Sequence, residues 1–471
     1  MGLRVGGGRG AVGRQPGLGF VRTYTPAQFQ PPAATYWLGP SGDNGNAGTY
    51  ASPWATIGYA ASQMAPGDTL GLKDGTYTSA FTMLPVGNAA SWCNVTAETE
   101  GSVVVTGGLS ATTTGAWHCA VTGSDFSDAV QKQVTGSYAK LIRCGFRGAE
   151  SSGNVSTVVV GTGDQSPGAD YVLLEDCWAY GPGGRYKVLV YNSTNIVLRR
   201  VVARHDGGWT YDGSNPQAGI ALYDSHAIAQ QCVVIDSPAG LSAHEGELYM
   251  PYNNNKGNAY MNVHALGCLV VKAQASGVKI ETAGSFPRDT TVTHCVVHCT
   301  TNGYGVVNNA PSSTMQADRC TVIDGKDGYA AYQIGSVLSV TGSIVEDADD
   351  AINGATVVGT ANRGWNNAGG DDGLTQLDPE ANGLTYPMRI EAGSTLVGIP
   401  CGANLTKVVG APGALFGESG WNTIQSTDLW PWSVESRMHT AMSSVSSRGF
   451  AAPTETFTGY IANLLGNGNP Y

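Results

Sequence analysis

Two long polar segments, residues 203–219 and 236–260, hold most of the side chains that could carry out a reaction. Hydrolysis of a glycosidic bond needs two carboxyl groups about 5 to 9.5 Å apart. Elimination from an acidic polysaccharide instead needs a base beside a group that neutralises the sugar carboxylate. The segments and their neighbours supply both kinds of group, and no motif selects among them. The catalytic candidates are Lys187, Asp206, Asp212, Glu245, Glu247, Lys279 and Glu281, with Asp224 as a further acid and His205, Tyr211, His244 and Lys256 as further bases.

Aromatic residues are interleaved with these polar groups. Flat rings can stack on sugar rings while neighbouring Asp and Asn side chains bond the hydroxyl groups. A single Asp or Lys in such a segment is more often a solvated turn residue, whereas a cluster of exposed aromatic residues usually has a use. The pattern therefore favours sugar binding by the group over cleavage by any one member. The predicted carbohydrate-binding residues are Trp209, Tyr211, Tyr223, Tyr249 and Tyr252.

A repeat of 23 to 36 residues runs through the chain and must position these groups. Each repeat holds a short alternating run, such as KLIRCGFRG or VLLEDCWAYG. Alternation indicates a half-buried strand, and short strands at this period predict a solenoid. Strands separated by turn residues favour an all-β fold, a parallel β-helix, over a helical array. The aligned positions are Cys93, Cys119, Cys144, Cys177, Val201, Cys232, Cys268, Cys295, Cys320 and Ser343.

This column of cysteines predicts small, soft side chains stacked in the core. Strands about 4.8 Å apart could bring two of them within disulfide distance, but reduced core thiols are favoured. His294 and His298 precede Cys295 and Cys299, which suggests zinc at first sight. Because adjacent residues of a strand point to opposite faces, the core interpretation is favoured instead, and neither a metal nor a cofactor is expected.

Both ends of the solenoid need cover, because an end coil exposes unpaired backbone and an open apolar core. A short amphipathic helix before Pro66-Gly67 is predicted to cap the first coil. Two short helices, at residues 434–442 and 454–465, are predicted near the end of the chain, and Trp430 and Trp432 are expected to pack them onto the last coils. The buried face of the cap helix is predicted to hold Ile57, Ala60, Ala61 and Met64.

The entry sequence, WLGPSGDNGNAGTYASPWATIGYAASQMAPGDTLGLKDGTYT, resembles that of the pectate-lyase-like right-handed β-helix proteins. In that superfamily a Gly-Asp pair precedes the first strand and Gly-Thr-Tyr follows it, as Gly67-Asp68 and Gly75-Thr76-Tyr77 do here. Residues 377–398 resemble the strand that closes such helices, and residues 429–467 resemble a C-terminal segment of large bacterial β-helix proteins. The resemblance implies a single-stranded right-handed parallel β-helix. It leaves activity open, because the superfamily includes lyases, glycosidases, phage tailspikes and non-catalytic proteins, and no catalytic motif matches.

Composition limits the partners of this chain of 471 residues. Its net charge of −11 argues against nucleic acid, and no apolar run is long enough to span a membrane. The first 22 residues are Gly-rich, lack the apolar core of a secretion signal and hold four arginines, with no acid before Asp43. They predict an arm that docks into a larger assembly, with a leader or a cloning remnant as the alternative. These arginines are Arg4, Arg9, Arg14 and Arg22.

Four parts are expected: a docking arm (1–35), an entry strand and cap helix (36–78), the β-helix (79–410) and a tail with two helices (411–471). The favoured hypothesis is a spike or fibre of a phage or phage-like particle that binds a cell-surface polysaccharide. Its arm would contact other virion proteins at the particle surface, and the chain would form a homotrimer. One alternative is a polysaccharide lyase or glycoside hydrolase, free or as a tailspike. A second is a bacterial β-helix protein at the cell surface or outside the cell.

Overall fold

The chain winds through three parallel sheets, and most coils add a strand to each sheet in turn. This computed structural model confirms the predicted right-handed parallel β-helix. Strand pairing is parallel from coil to coil, as between Ala139–Ile142 and Val172–Glu175. The described residues are 28–82, 84–111, 115–127, 131–148, 155–161, 168–181, 184–205, 217–223, 225–236, 246–252, 262–281, 289–300, 302–370, 373–378, 381–382, 393–443 and 456–465.

Short runs of alternating, mostly β-branched residues form the strands, so one side of each strand points into the solenoid. The first sheet contains Tyr36–Leu38, Thr69–Leu72, Cys93–Ala97, Ala116–Thr122, Ser137–Ile142, Val172–Glu175, Ile196–Arg199, Ala227–Gln230, Val263–Leu266, Asp289–Thr293, Thr314–Asp318, Val337–Thr341 and Thr356–Val358. The second contains Gly75–Tyr77, Val103–Val105, Asp125–Ser127, Gly145–Arg147, Trp178–Tyr180, Val202–Arg204, Val233–Ile235, Leu269–Ala273, Val296–Cys299, Thr321–Ile323, Ile344–Glu346, Arg363–Trp365 and Thr375–Gln376. The third contains Ser110–Ala111, Lys132–Val134, Ser156–Gly161, Tyr186–Tyr191, Ala218–Tyr223, Gly246–Tyr252, Ser276–Glu281, Tyr304–Asn309, Asp327–Ala331 and Asp350–Asn353.

The corner between the first and second sheets holds the column from Cys144 to Ser343. The predicted extension of this column back to Cys93 and Cys119 is wrong, because both lie inside strands of the first sheet and Cys119 is in register with Ala139. In most coils the residue before the column residue has a positive φ, for example 51° at Arg143 and 55° at Asp176, which turns the chain sharply. The backbone N–H of one coil then donates to the side chain of the next, as from Cys144 to the Sγ of Cys177 (3.5 Å). All ten cysteines are buried and none is bonded to another in the structure. Burial raises the pKa of Cys177 well above its ordinary value, which keeps this thiol neutral.

Helix α1 (Ile57–Gln63) covers the first coil, as predicted. The Thr56 side chain accepts a hydrogen bond from the backbone N–H of Tyr59, which caps the N-terminus of the helix. Ile57 and Ala60 are buried against the core, and Met64 packs beside them. The helix therefore shields the apolar end of the solenoid from water.

Residues 396–433, here called the strap, run back along the outside of the solenoid from its late coils to its middle coils. The backbone N–H of Gly402 donates to Gly342, while the N–H of Gly413 donates to the buried Glu175 (3.1 Å), many coils earlier. Within the strap, Lys407–Val409 and Ile424–Asp428 form a two-stranded antiparallel sheet. The predicted boundary between β-helix and tail, at residue 410, lies inside this strap.

Helices α2 (Glu435–Ser443) and α3 (Phe457–Leu464) confirm the two predicted C-terminal helices. The expectation that Trp430 and Trp432 pack onto the last coils is wrong: they pack with Trp178 on a middle coil. The physical reason is the strap, which carries the chain back before the helices begin. Arg437 then donates to Arg143 and Asp125, and its guanidinium lies 4.9 Å from the ring centre of Trp178.

The described part of the predicted arm, residues 28–35, runs beside the solenoid. Thr35 donates its backbone N–H to Thr69 of the first coil. Phe29 lies against Gly413 of the strap, where an added Cβ would come within 2.5 Å of the phenyl ring. Arg4, Arg9, Arg14 and Arg22 lie outside the described residues. Every helix in the described part of the chain is too short or too polar to cross a membrane.

Candidate functional site

Four neighbouring strands of the third sheet carry the predicted site residues that the structure describes. Their register places Tyr223 opposite Tyr252 and Tyr249 opposite Lys279. Part of the predicted insertion 236–260 is therefore a strand and not a loop. The structure thus brings Tyr223, Tyr249, Tyr252, Lys279 and Glu281 to one sheet. The strands are Tyr186–Tyr191, Ala218–Tyr223, Gly246–Tyr252 and Ser276–Glu281.

One part of the outward face of this sheet is aromatic, and the rings of Tyr186 and Tyr223 are here called the aromatic floor. Leu189 and Ala221 pack with Tyr186 and Tyr223 in a cluster that is separate from the core. The ring centres of Tyr186 and Tyr223 are 5.4 Å apart, and their hydroxyl oxygens are 2.5 Å apart. The Tyr186 hydroxyl donates to Gln217, so it accepts from Tyr223. These bonds fix both rings, which is what a stacking surface for a sugar requires.

Tyr186 and Tyr191 were not among the predicted binding residues. Tyr191 lies opposite Tyr223 on the next strand, with ring centres 5.9 Å apart. A signal for Tyr191 was present in the sequence, because the two runs VLVY and GIALY both end in Tyr. Aligning these runs would have placed the rings of Tyr191 and Tyr223 side by side. Tyr186 begins its strand, outside the aligned run, and only the structure shows its contact with Tyr223.

Lys279 and Glu281 form an ion pair on the same sheet. They are two residues apart on one strand, so both side chains point to the same side. The Lys279 ammonium lies 2.8 Å from a carboxylate oxygen of Glu281, and the two side chains are 2% and 20% exposed. An ammonium group and a carboxylate held together can donate to and accept from the hydroxyls of a sugar. The pair is therefore a polar anchor on the same sheet, separated from the aromatic floor by the strand Gly246–Tyr252.

Lys187 and Glu247, two other catalytic candidates, lie at the corner between the second and third sheets. Both are fully buried. The register puts them on either side of Gly219, and a Cβ at Gly219 would meet Val234 of the core. The Lys187 ammonium donates to the carbonyl of Gly181 (2.7 Å). Both side chains are thus part of the solenoid wall, whereas Lys279 and Glu281 belong to its outward face.

His205, a candidate base, is buried just after the strand Val202–Arg204 of the second sheet. The remaining predicted site residues lie outside the described residues. Tyr249 and Tyr252 have a described backbone but no described side chain. No group of three or more His, Cys, Asp or Glu among the described residues is placed to hold a metal ion. Those outside the described residues are Asp206, Trp209, Tyr211, Asp212, Asp224, His244, Glu245 and Lys256.

Solved structures share this fold, although no protein-family model and no curated protein matches the sequence. The complex of XylC with xylose has a TM-score of 0.50 at 10% identity, over 73% of this chain and 86% of that chain. Pectate lyase Pel9A has a TM-score of 0.40 at 14% identity, over 69% and 76% of the two chains. A rhamnogalacturonan lyase has a TM-score of 0.42 at 13% identity, over 76% and 93%. The likeness to the XylC structure agrees with the parallel β-helix fold that the entry sequence predicted.

Proposed function

We propose that this protein binds a cell-surface polysaccharide along the outward face of the third sheet, as a spike or fibre of a phage or phage-like particle. The observation that carries the proposal is the combination, on one sheet, of fixed tyrosine rings and the Lys279–Glu281 pair, with the single strand Gly246–Tyr252 between them. Rings offer flat apolar contact, while the charged pair fixes the orientation of hydroxyl groups. The face extends along the solenoid, so it suits a chain ligand.

The particle-bound role is supported by the N-terminal composition. A Gly-rich, basic segment has little apolar surface to bury by itself, and this composition suits docking on another protein surface. The chain leaves the solenoid beside the strap, where Phe29 contacts Gly413. An arm anchored there would dock into partner proteins of the particle and leave the third sheet open to the glycan. The expected location is the surface of a virion, with the cell surface as the alternative.

A second candidate function is cleavage of the bound polysaccharide. Lys279 and Glu281 provide an amine and a carboxylate on the proposed binding face. A glycoside hydrolase would need one more carboxyl group within about 5 to 9.5 Å of Glu281, and Asp206, Asp212 and Glu245 are the candidates from the sequence. A lyase would use a base and a neutralising cation instead. The XylC structure is a complex with xylose, which is in keeping with a sugar ligand on this fold.

Incubation with a panel of bacterial capsular polysaccharides and exopolysaccharides tests both functions. Retention of a polysaccharide without a change in its length supports a receptor-binding spike. Shorter chains with new absorbance near the ultraviolet band of an unsaturated uronic acid indicate a lyase, and shorter chains without it indicate a hydrolase. A full-length chain that retains none of the polysaccharides, at a concentration at which it is folded, contradicts the proposal.

A further inference from the structure

The outward face of the first sheet changes character where the strap leaves it. Under the strap one column of side chains on this face is apolar, and its Leu173, Val197 and Ile228 pack against Leu415, while the other column holds buried polar residues bonded to the strap. Beyond the strap the apolar column becomes polar and the other continues with Thr293, Asp318 and Thr341. In register the first column reads Leu173, Val197, Ile228, His264, Thr291, Gln316, Ser339 and Thr356, and the second reads Glu175, Arg199, Gln230, Leu266, Thr293, Asp318, Thr341 and Val358.

The polar part of these columns lines an open groove of about 490 Å³. Such a volume lies within the usual range of ligand sites, about 300 to 1,000 Å³. A second recess of about 260 Å³ lies at the adjoining corner, between His294, Arg319 and strap residues 396–404. The groove is lined by Thr291, Thr293, Gln316, Ala317, Asp318, Ser339, Thr341 and Val358.

The chemistry of this groove differs from that of a face that only keeps a sheet soluble. Such faces usually carry Lys and other long charged side chains. Here the polar atoms are hydroxyls and an amide, and the one charged residue in the lining, Asp318, is paired with Arg319 at 2.9 Å. Thr side chains are stiff at χ1, so their hydroxyls lose little freedom when a ligand binds. His264 also bonds the Thr291 hydroxyl at 2.8 Å.

We propose that this groove is a second polysaccharide-binding surface, separate from the third sheet, and that it takes a neutral glycan. The inference rests on the proposed function, because it assumes that the protein meets a polysaccharide. Hydroxyls repeated at the strand spacing of about 4.8 Å match a ligand that presents hydroxyl groups along its length. The paired state of Asp318 and the net charge of −11 disfavour an anionic glycan. Two separate surfaces would hold a long glycan at two points and raise its apparent affinity.

The test uses the full chain in affinity electrophoresis through gels that contain dextran, galactomannan or the polysaccharide retained in the panel. The variant is the triple substitution Thr291→Val, Thr293→Val and Thr341→Val, which removes hydroxyls but keeps β-branched shape. Thr314→Val is the matched control, since Thr314 is exposed on the same sheet and does not line the groove. We expect the triple variant to be retained about tenfold less strongly, from the loss of about one net hydrogen bond. The control should migrate like the wild type.

The outcomes separate the two proposals. Suppose that the wild type is retained and that Lys279→Met weakens retention. If the triple variant is then retained as strongly as the wild type, the second surface is wrong while the proposed function stands. If no polysaccharide retains the wild type, both proposals fail. A changed sedimentation mass of the triple variant, with unchanged retention, would make this face an interface between chains and overturn the inference. Should the triple variant unfold, Gln316→Ala replaces it, because Gln316 is an exposed residue of the same lining.

Discussion

The ion pair of Lys279 and Glu281 is the best-defined polar feature of the proposed binding face. Its ammonium is almost completely buried while its carboxylate is partly exposed. A glycan hydroxyl would therefore meet Glu281 first, and Lys279 would hold the carboxylate in one orientation. The pair differs from an ordinary surface ion pair, whose side chains are solvent-exposed and which contributes little to the free energy of folding.

Substitution of this pair should weaken glycan binding and leave the fold intact. We expect Glu281→Gln to reduce affinity for the retained polysaccharide by about tenfold, since hydrogen bonds to charged groups contribute about 1.5 to 3 kcal/mol. Isothermal titration measures the change. Lys407→Met is the control, because Lys407 pairs with Asp428 on the exposed part of the strap. Equal affinities for Glu281→Gln and the wild type would contradict the role of the pair.

The cysteine column gives a second prediction for a single residue. The Sγ of Cys295 accepts from the backbone N–H of Cys268 at 3.3 Å. Cys295→Ala removes that acceptor in the core and should lower the free energy of unfolding by about 1 to 3 kcal/mol. Cys295→Ser should cost less, because Ser343 already fills the equivalent position and accepts from Cys320. Chemical denaturation of the two variants gives the comparison, and the reverse order of stabilities would rule out this role for the thiol.

Individual residues differed in how far the sequence could place them. Most of the cysteines were predictable as core residues because they recur at one position of the repeat. Lys187 and Lys279 look alike in the sequence, since each lies in a short apolar run, YKVLVY and GVKIE. Their different surroundings depend on the register between coils of unequal length, which sequence periodicity does not specify.

The strap is the element that the sequence did not reveal. Its contacts join residues more than 200 positions apart, such as Glu175 with Gly413 and Arg199 with Ala411. No local pattern reports such a pairing, because each partner is a polar residue or a backbone group without periodicity. The cap helix α1 was predictable from its own residues, since its apolar spacing and its stop signal are local.

Removal of one charge beneath the strap should detach it. Glu175 and Arg199 are fully buried and their charged groups lie 2.6 Å apart. Glu175→Gln leaves the Arg199 charge without its partner in the interior, so the free energy of unfolding should fall by about 3 to 5 kcal/mol. Hydrogen exchange of residues 407–428 should increase in parallel. Lys407→Met, at an exposed ion pair within the strap, is the control and should change neither quantity.

Acid should also weaken the contact between strap and solenoid. Burial lowers the pKa of His226, whose ring lies 4.8 Å from that of Phe416, although Asp170 acts in the opposite direction. The unfolded chain therefore binds a proton more readily than the folded one, and stability falls as the pH drops below the ordinary value of about 6.5. Burial also lowers the pKa of His118 and of His294, so both residues add to the loss of stability at low pH.

Thermal unfolding between about pH 7.5 and pH 5.5 measures this effect, because only the histidines change charge in that range. The midpoint of the wild type should decrease with decreasing pH. His226→Asn should show a shallower decrease, and an unchanged slope would show that His226 does not contribute. Comparison with Lys407→Met separates this effect from a general change in surface charge.

As a whole molecule, the chain presents two faces with different tasks. The strap and helices α2 and α3 cover the first and second sheets on the early and middle coils, while the proposed glycan face lies on the third sheet. Several of the exposed large apolar residues lie on the late coils, and Ile334 is 93% exposed. Apolar side chains in such positions often contact another molecule.

The proposed spike predicts self-association of the whole molecule. We expect sedimentation equilibrium to give the mass of three chains, because spikes of this fold often form trimers. Ile334→Asp and Val337→Asp, on exposed positions of the late coils, should shift the mass towards one chain if that end forms the contact. A wild-type mass equal to one chain, 48.7 kDa, at high protein concentration would rule out the trimer.

The direction of the strap also limits how this protein can evolve. A solenoid usually gains or loses whole repeats without disturbing the others. Here the strap contacts two distant coils, because Gly402 donates to Gly342 and Val409 donates to Gln231. Its fixed length therefore spans a fixed number of coils. Deletion of one coil between them would shorten that span by about 4.8 Å and leave the strap too long. Repeats beyond Gly342 lie outside this constraint, so natural variation in length should concentrate there.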